Sequence, residues 1–223
     1  KCHWHGRITE KSIYTPPEWR LNWQHWVGWQ NGHHDHDMPT FDEARQRLHA
    51  YQGQFVPQVQ TEMLMQWVDQ QGNQPWIAQV NWGPPHNISA TCSDDDTVAR
   101  TREMAEEHDL EIADELYDTR LSWVQTFPLS LLEPVAPQRC FDLYARDALA
   151  IPPNVPEGRE RVVRHHLHQY YAQISALDEL AGRIMDWLSE TGRAENTIVV
   201  YTADHGDWVG SHRGYREPIR GKC

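Results

Sequence analysis

The 223-residue sequence has only four cysteines, Cys2, Cys92, Cys140 and Cys223, and they are spread so widely that none forms a Cys-x-x-Cys pair. Zinc knuckles and dense disulfide frameworks need clustered thiols, so both are excluded. Long apolar runs are also missing. No stretch approaches the roughly 20 residues that cross a bilayer, and no membrane partner is expected. Positive charge is scarce: 20 Lys and Arg stand against 32 Asp and Glu, for a net charge of -12. That balance is wrong for a phosphate backbone, so nucleic acid is not expected as a partner. It does not bar an anionic small molecule, because local cations and bound metal set the field of a site. An initiating Met and a signal-peptide pattern are absent as well. The opening Lys-Cys-His-Trp-His and the closing Ile-Arg-Gly-Lys-Cys resemble mid-domain sequence, and the expectation is a segment cut at both ends.

What is present suits one α/β domain. Hydrophobic residues make up 39% and charged residues 23% of the chain, which fits a globular protein with a sizeable core. Residues 1–56 are irregular and rich in Trp, His, Gln and Pro. From Pro57 to Gly72 a helix is predicted, with Val59, Met63 and Trp67 four apart, Pro57 in the first turn and Gly72 at the stop. Pro75 to Trp82 is a short apolar run bounded by turn residues, predicted as a buried strand. Residues 93–127 open on Asp94, Asp95 and Asp96 and then run helically, with Ala105, Ile112, Leu116 and Leu121 inward. A Pro-rich connector fills 128–158. The strongest helix follows, from about Arg159 to Thr191. Val163, Leu167, Tyr170, Ile174, Leu177, Ala181, Ile184 and Leu188 keep its spacing, and Gly192 ends it. Asn196 to Thr202 is then predicted as a strand, apolar on both faces, of the kind that lies inside a mostly parallel sheet flanked by helices.

In such sheets ligands sit at the carboxyl ends of the strands. One predicted strand delivers His86 after the Pro84-Pro85 turn. The other delivers Asp204-His205-Gly206-Asp207, followed by Gly210-Ser211-His212. Asp offers a hard oxygen, His a nitrogen, and Gly lets the backbone turn close to an ion. An equally simple reading makes Asp204 the N-cap of a following helix.

The stretch from Tyr170 to Glu179, the run Asn196-Thr-Ile-Val-Val-Tyr-Thr-Ala-Asp-His-Gly-Asp207 and Gly210-Ser211-His212 together resemble the sulfatase family. That family belongs to the alkaline-phosphatase-like superfamily. The upstream order, Pro75 to Trp82, then Pro84-Pro85-His86, Phe141-Asp142-Leu143-Tyr144 and Pro152-Pro153-Asn154, is similar too. The resemblance implies a partial sulfatase catalytic domain over 1–223, with 90–135 a variable helical insertion. It implies that Asp204 and His205 are the late metal pair, and that His86 contacts the sulfate oxygens. Lys1 and His3 resemble a Lys-x-His pair, in which the lysine binds sulfate and the histidine supports the nucleophile; Cys2 stands where the family has Trp. Lys222 resembles the lysine on the leaving side of the ester. The implied ion is divalent, calcium first and manganese second, given the imidazole at 205.

Two family elements are missing from the chain: the early Asp pair that completes the metal shell, and the Cys-x-Pro-x-Arg motif whose cysteine or serine becomes formylglycine. The expected activity is therefore that of a sulfuric ester hydrolase acting on a small-molecule or carbohydrate sulfate, with its formylglycine nucleophile outside this chain. A phosphonate or phosphate ester hydrolase of the same superfamily, or a non-catalytic metal-binding remnant, is the alternative. The tract His33 to Asp37 is expected to be a solvated rim loop. Two of His165, His166 and His168 are expected to face solvent, Asp207 to act as a cap, and His212 to lie at the rim. The tryptophans between Trp19 and Trp29 either cover a missing part or line an aromatic pocket.

Overall fold

The computed structural model describes residues 14–29, 38, 40–41, 47–48, 50–86, 103, 106, 136–155, 157–158, 160–207 and 211. Lys1, His3, Lys222, His212 and the tract His33 to Asp37 lie outside the described residues. So does most of the helix predicted over 93–127, of which Glu103 and Glu106 are helical and exposed. The chain divides into two compact units, Lys1–Pro84 with Glu179–Thr191, and Pro85–Asp178 with Gly192–Cys223.

The first unit is built around helix α1, Val56–Gln70. Pro57 sits in its first turn, where the missing N–H costs nothing. Gly72 adopts φ +60, the left-handed conformation that ends a helix and that glycine takes without a Cβ clash. Val56 and Val59 face inward and close a core with Trp29 and Met38, against which Phe41, Tyr51 and Met63 pack. Trp29 is thus core, whereas Trp19, Trp23 and Trp26 are half-buried. His25 stacks on Trp67, with ring centroids 5.8 Å apart and planes 19° from parallel. Strands β1, Thr40–Phe41, and β2, Arg47–Leu48, pair antiparallel with Thr40 opposite Leu48. Arg183 reaches Glu62 at 3.5 Å on the surface of this unit.

The second unit holds the short helix α2, Gln138–Phe141, and most of the 31-residue helix α3, Glu160–Glu190. Gly192 takes φ +69 just beyond α3, as its position predicts. Val163 and Leu167 form the local core with Leu149, Ile151, Val155, Tyr170 and Tyr171 around them. The connector is tied to α3 by polar contacts. The Tyr144 hydroxyl meets Ser175 Oγ at 2.7 Å, Arg164 Nε donates to the Leu149 carbonyl at 3.0 Å, and His168 Nε2 donates to the Phe141 carbonyl at 3.0 Å. Cys140 is fully buried.

The parallel sheet is not seen among the described residues, and two further expectations are corrected. Pro75 to Trp82 and Thr197 to Ala203 carry no regular secondary structure and belong to no ladder. Ile77 and Ile198 are 77% and 93% exposed. An apolar strand acquires full burial from neighbouring strands and covering helices, and among the described residues neither segment pairs with a second strand. Ile174 on α3 is exposed rather than inward, because the buried stripe passes instead through His166, Gln169 and Gln173. The expectation that two of the three α3 histidines face solvent also fails for the described side chains, since His166 is buried and His168 half-buried. No described helix is long and apolar enough to cross a membrane.

Candidate metal and ester site

Within the second unit, the turn after Pro84-Pro85 brings the His86 ring against the His205 ring, with centroids 6.2 Å apart and planes at 63°. The two residues are far apart in sequence. Proline fixes the entry to the first turn, and Gly206 follows directly on His205 in the second. The Asp204 side chain is 89% exposed. Its Oδ1 accepts the N–H of the very next residue, His205, at 2.9 Å. A helix cap would instead accept from two or three residues on, so the observed hydrogen bond is not that of an N-cap.

The His205 tautomer follows from its contacts. Nδ1 lies 2.9 Å from the Gly206 carbonyl oxygen. A carbonyl can only accept, so Nδ1 carries a proton, and whenever the ring is neutral Nε2 presents its lone pair. That lone pair lies 3.7 Å from Asp204 Oδ2. An oxygen and a nitrogen at this separation can occupy neighbouring positions around one cation, given ligand distances of about 2.0–2.6 Å. An Nδ1–H bonded to a backbone carbonyl is also how metal-binding histidines are commonly oriented. The pair supplies two donors. Among the described residues no group of three or more His, Cys, Asp or Glu side chains converges as a metal site. Of the residues singled out from sequence, the structure thus brings together His86, Asp204 and His205, while Lys1, His3 and Lys222 fall outside the described residues.

Asp207, expected from the sequence to act as a cap, also bears on α3. The Asp207 carboxylate bears on both His166 and Tyr170 of α3, whose rings stack with centroids 6.4 Å apart and planes 21° from parallel. Burial pushes the His166 imidazole down to about 4, and the Asp207 charge pulls against that shift. Burial raises the Tyr170 phenol, and the same carboxylate adds to it. The available signal was the helical spacing itself. His166 is three residues from Val163 and lies on the buried stripe.

The sequence profile of the sulfatase family matches residues 3–222. The chain is similar to an ulvan-active sulfatase of Formosa agariphila, 26% identical over 94% of this chain and 32% of that protein. It is similar to an endo-4-O-sulfatase of Bacteroides thetaiotaomicron, 22% identical over 90% of this chain and 32% of that protein. A shorter stretch, 22% of this chain and 10% of the relative, is 42% identical to an arylsulfatase of Clostridium perfringens. The chain therefore spans about a third of the length of the two relatives that it matches along most of its course. No solved structure matches it.

Proposed function

The chain belongs to the sulfatase family, with the α/β, alkaline-phosphatase-like fold class that membership implies, and on that footing we propose that it forms part of a sulfuric ester hydrolase. The observation that carries the reading is the pairing of Asp204 Oδ2 and His205 Nε2 at 3.7 Å, with the His86 ring beside His205. The substrate is a sulfate monoester, small or carbohydrate. The relatives, which include an ulvan-active sulfatase and an endo-4-O-sulfatase, favour a carbohydrate.

Asp204 and His205 would hold a divalent cation, calcium by the hardness of the carboxylate, with manganese compatible with the imidazole. When bound, such an ion offsets negative charge on the ester's oxygens and so favours attack at sulfur. The neighbouring His86 donates an N–H to a sulfate oxygen. Lys1 and Lys222 bind the sulfate and the leaving side of the ester as fixed cations, and His3 supports the nucleophile. Those three roles rest on the resemblance of their motifs. A formylglycine nucleophile comes from a part of the enzyme that this chain does not contain, since none of its four cysteines lies in a Cys-x-Pro-x-Arg motif. The chain supplies one part of the site.

The test uses the full-length protein with 4-nitrophenyl sulfate and an aryl phosphonate ester, before and after chelation. Preferential, metal-dependent turnover of the sulfate is expected. Preference for the phosphonate would move the enzyme to another branch of its superfamily. Turnover of neither these nor a sulfated oligosaccharide would leave a metal-binding protein without catalysis.

A further inference from the structure

Arg20, in the first unit, is a half-buried cation that pairs with no carboxylate among the described residues. Carboxylates are plentiful, with 32 Asp and Glu against 20 Lys and Arg, yet neutral partners alone hold this guanidinium. Its Nε donates to the Thr15 carbonyl at 3.0 Å, and its Nη2 donates to the Tyr14 hydroxyl at 3.3 Å. Its central carbon lies 5.6 Å from the centre of the Tyr14 ring. These anchors are themselves fixed. Thr15 is buried, and the Tyr14 ring meets Phe41 edge-on with centroids 5.3 Å apart. Two of the five N–H donors of the guanidinium are thus used, and three remain for an acceptor. Glu18 is exposed and forms no ion pair among the described residues.

The same arginine opens a tight turn. The Trp23 N–H donates to the Arg20 carbonyl at 3.1 Å, and Leu21 and Asn22 between them take φ of +50 and +63. Asparagine tolerates that left-handed conformation, whereas leucine adopts it at a cost. Leu21 is 70% exposed and recovers nothing by burial. Strain of this kind clusters at ligand clamps. Here it holds Arg20 and Trp23 in one turn. The Trp23 indole is half-buried and makes no hydrogen bond or ring contact among the described residues.

We propose that Arg20 and Trp23 form a subsite for a sulfated pyranose, the guanidinium taking two sulfate oxygens and the indole taking an apolar face of the sugar ring. The inference rests on the reading of the substrate as a carbohydrate sulfate, and extends it to a sulfate group that is bound and not cleaved. A guanidinium presents its remaining N–H groups as a planar fork, which matches a pair of oxygens on one sulfur. Half-burial weakens the screening of that charge by water. Because Arg20 is already anchored, little side-chain freedom is lost when the anion arrives. A pyranose turns a face of C–H groups outward, and an indole offers it apolar area while its own N–H stays wet.

The experiment uses the full-length protein in excess chelator, so that binding is read without metal-dependent turnover. Tetrasaccharides prepared from heparin, chondroitin sulfate and carrageenan, each with its desulfated counterpart, are titrated by calorimetry, as is sodium sulfate. The proteins are the wild type, Arg20→Gln, Arg20→Lys and Trp23→Ala. At least one sulfated tetrasaccharide is expected to bind the wild type and to lose about tenfold or more in affinity on Arg20→Gln. Arg20→Lys is expected to lose less, since its ammonium keeps the charge without the fork. Trp23→Ala should weaken the same saccharide several-fold and leave inorganic sulfate unaffected. A folded Arg20→Gln that binds every sulfated probe like the wild type overturns the proposal. So does a desulfated saccharide that binds as tightly as its sulfated parent, inorganic sulfate that binds as tightly as the saccharides, or the failure of every probe to bind. If Arg20→Gln does not fold, Arg20→Lys and Trp23→Ala decide, and wild-type affinity in both overturns it. Turnover of 4-nitrophenyl sulfate in the presence of metal keeps the two readings apart. Arg20-dependent binding without turnover sinks the hydrolase and leaves the subsite, and turnover without such binding does the reverse.

Discussion

Oδ2 of Asp204 stands 3.7 Å from Nε2 of His205, close enough for one cation to touch both and too far for the two atoms to hydrogen-bond each other. Asp204→Ala removes the only charged donor of the pair. Calcium affinity of the full-length protein, read by calorimetry, is expected to fall by at least about tenfold, with the melting temperature of the metal-free protein unchanged. Unaltered affinity would place the ion elsewhere.

The connector before α3 is tied by the 2.7 Å hydrogen bond between Tyr144 and Ser175. Tyr144→Phe keeps the ring against Tyr171, 5.5 Å between centroids, and deletes only the hydroxyl. Urea unfolding should show a loss of about 1 kcal/mol. The double variant with Ser175→Ala should lose little more than the worse single change, because both substitutions remove the same bond.

Core and surface positions on α3 separate cleanly. Leu167 is buried beside Val163, and Leu167→Ala is expected to cost about 2–5 kcal/mol through lost burial and the cavity left behind. Ile174 points to solvent, and Ile174→Ala should stay within about 0.5 kcal/mol. Equal costs at the two sites would contradict the orientation of the helix.

His166 makes stability depend on pH in a defined window. Its folded value of about 4 lies below the ordinary 6.5, so between those values the unfolded chain binds the extra proton. Stability is therefore full above about 6.5 and falls as pH drops toward 4, by on the order of 3 kcal/mol in total. His166→Phe should flatten the difference in melting temperature between pH 7 and pH 4.5. A slope identical to the wild type would mean that the ring is solvated.

The helices were legible because their signals are local. Pro57 and Gly72 bracket α1, and Gly192 ends α3. The turn residues His86, Asp204 and His205 were legible because Pro, Gly and a run of apolar residues set them off from their surroundings. The polar side of the buried stripe was not. Hydrophobic periodicity points at Ile174 and passes over His166, Gln169 and Gln173, whose burial depends on what packs against the helix rather than on their own polarity. The same limit applies to Thr197 to Ala203. Its β-branched composition states a preference for strand, but strand pairing needs a second backbone that no property of the segment itself provides.

That segment has a practical consequence. Thr197 to Thr202 is a six-residue, uncharged, proline-free run in which Ile198, Val199, Val200 and Tyr201 are exposed. Such a stretch carries the signature of a steric zipper, in which identical segments from many molecules stack in register. Concentrated solutions of the isolated chain should therefore convert to fibrils that bind thioflavin, and a gatekeeper charge at Val200 should delay their onset.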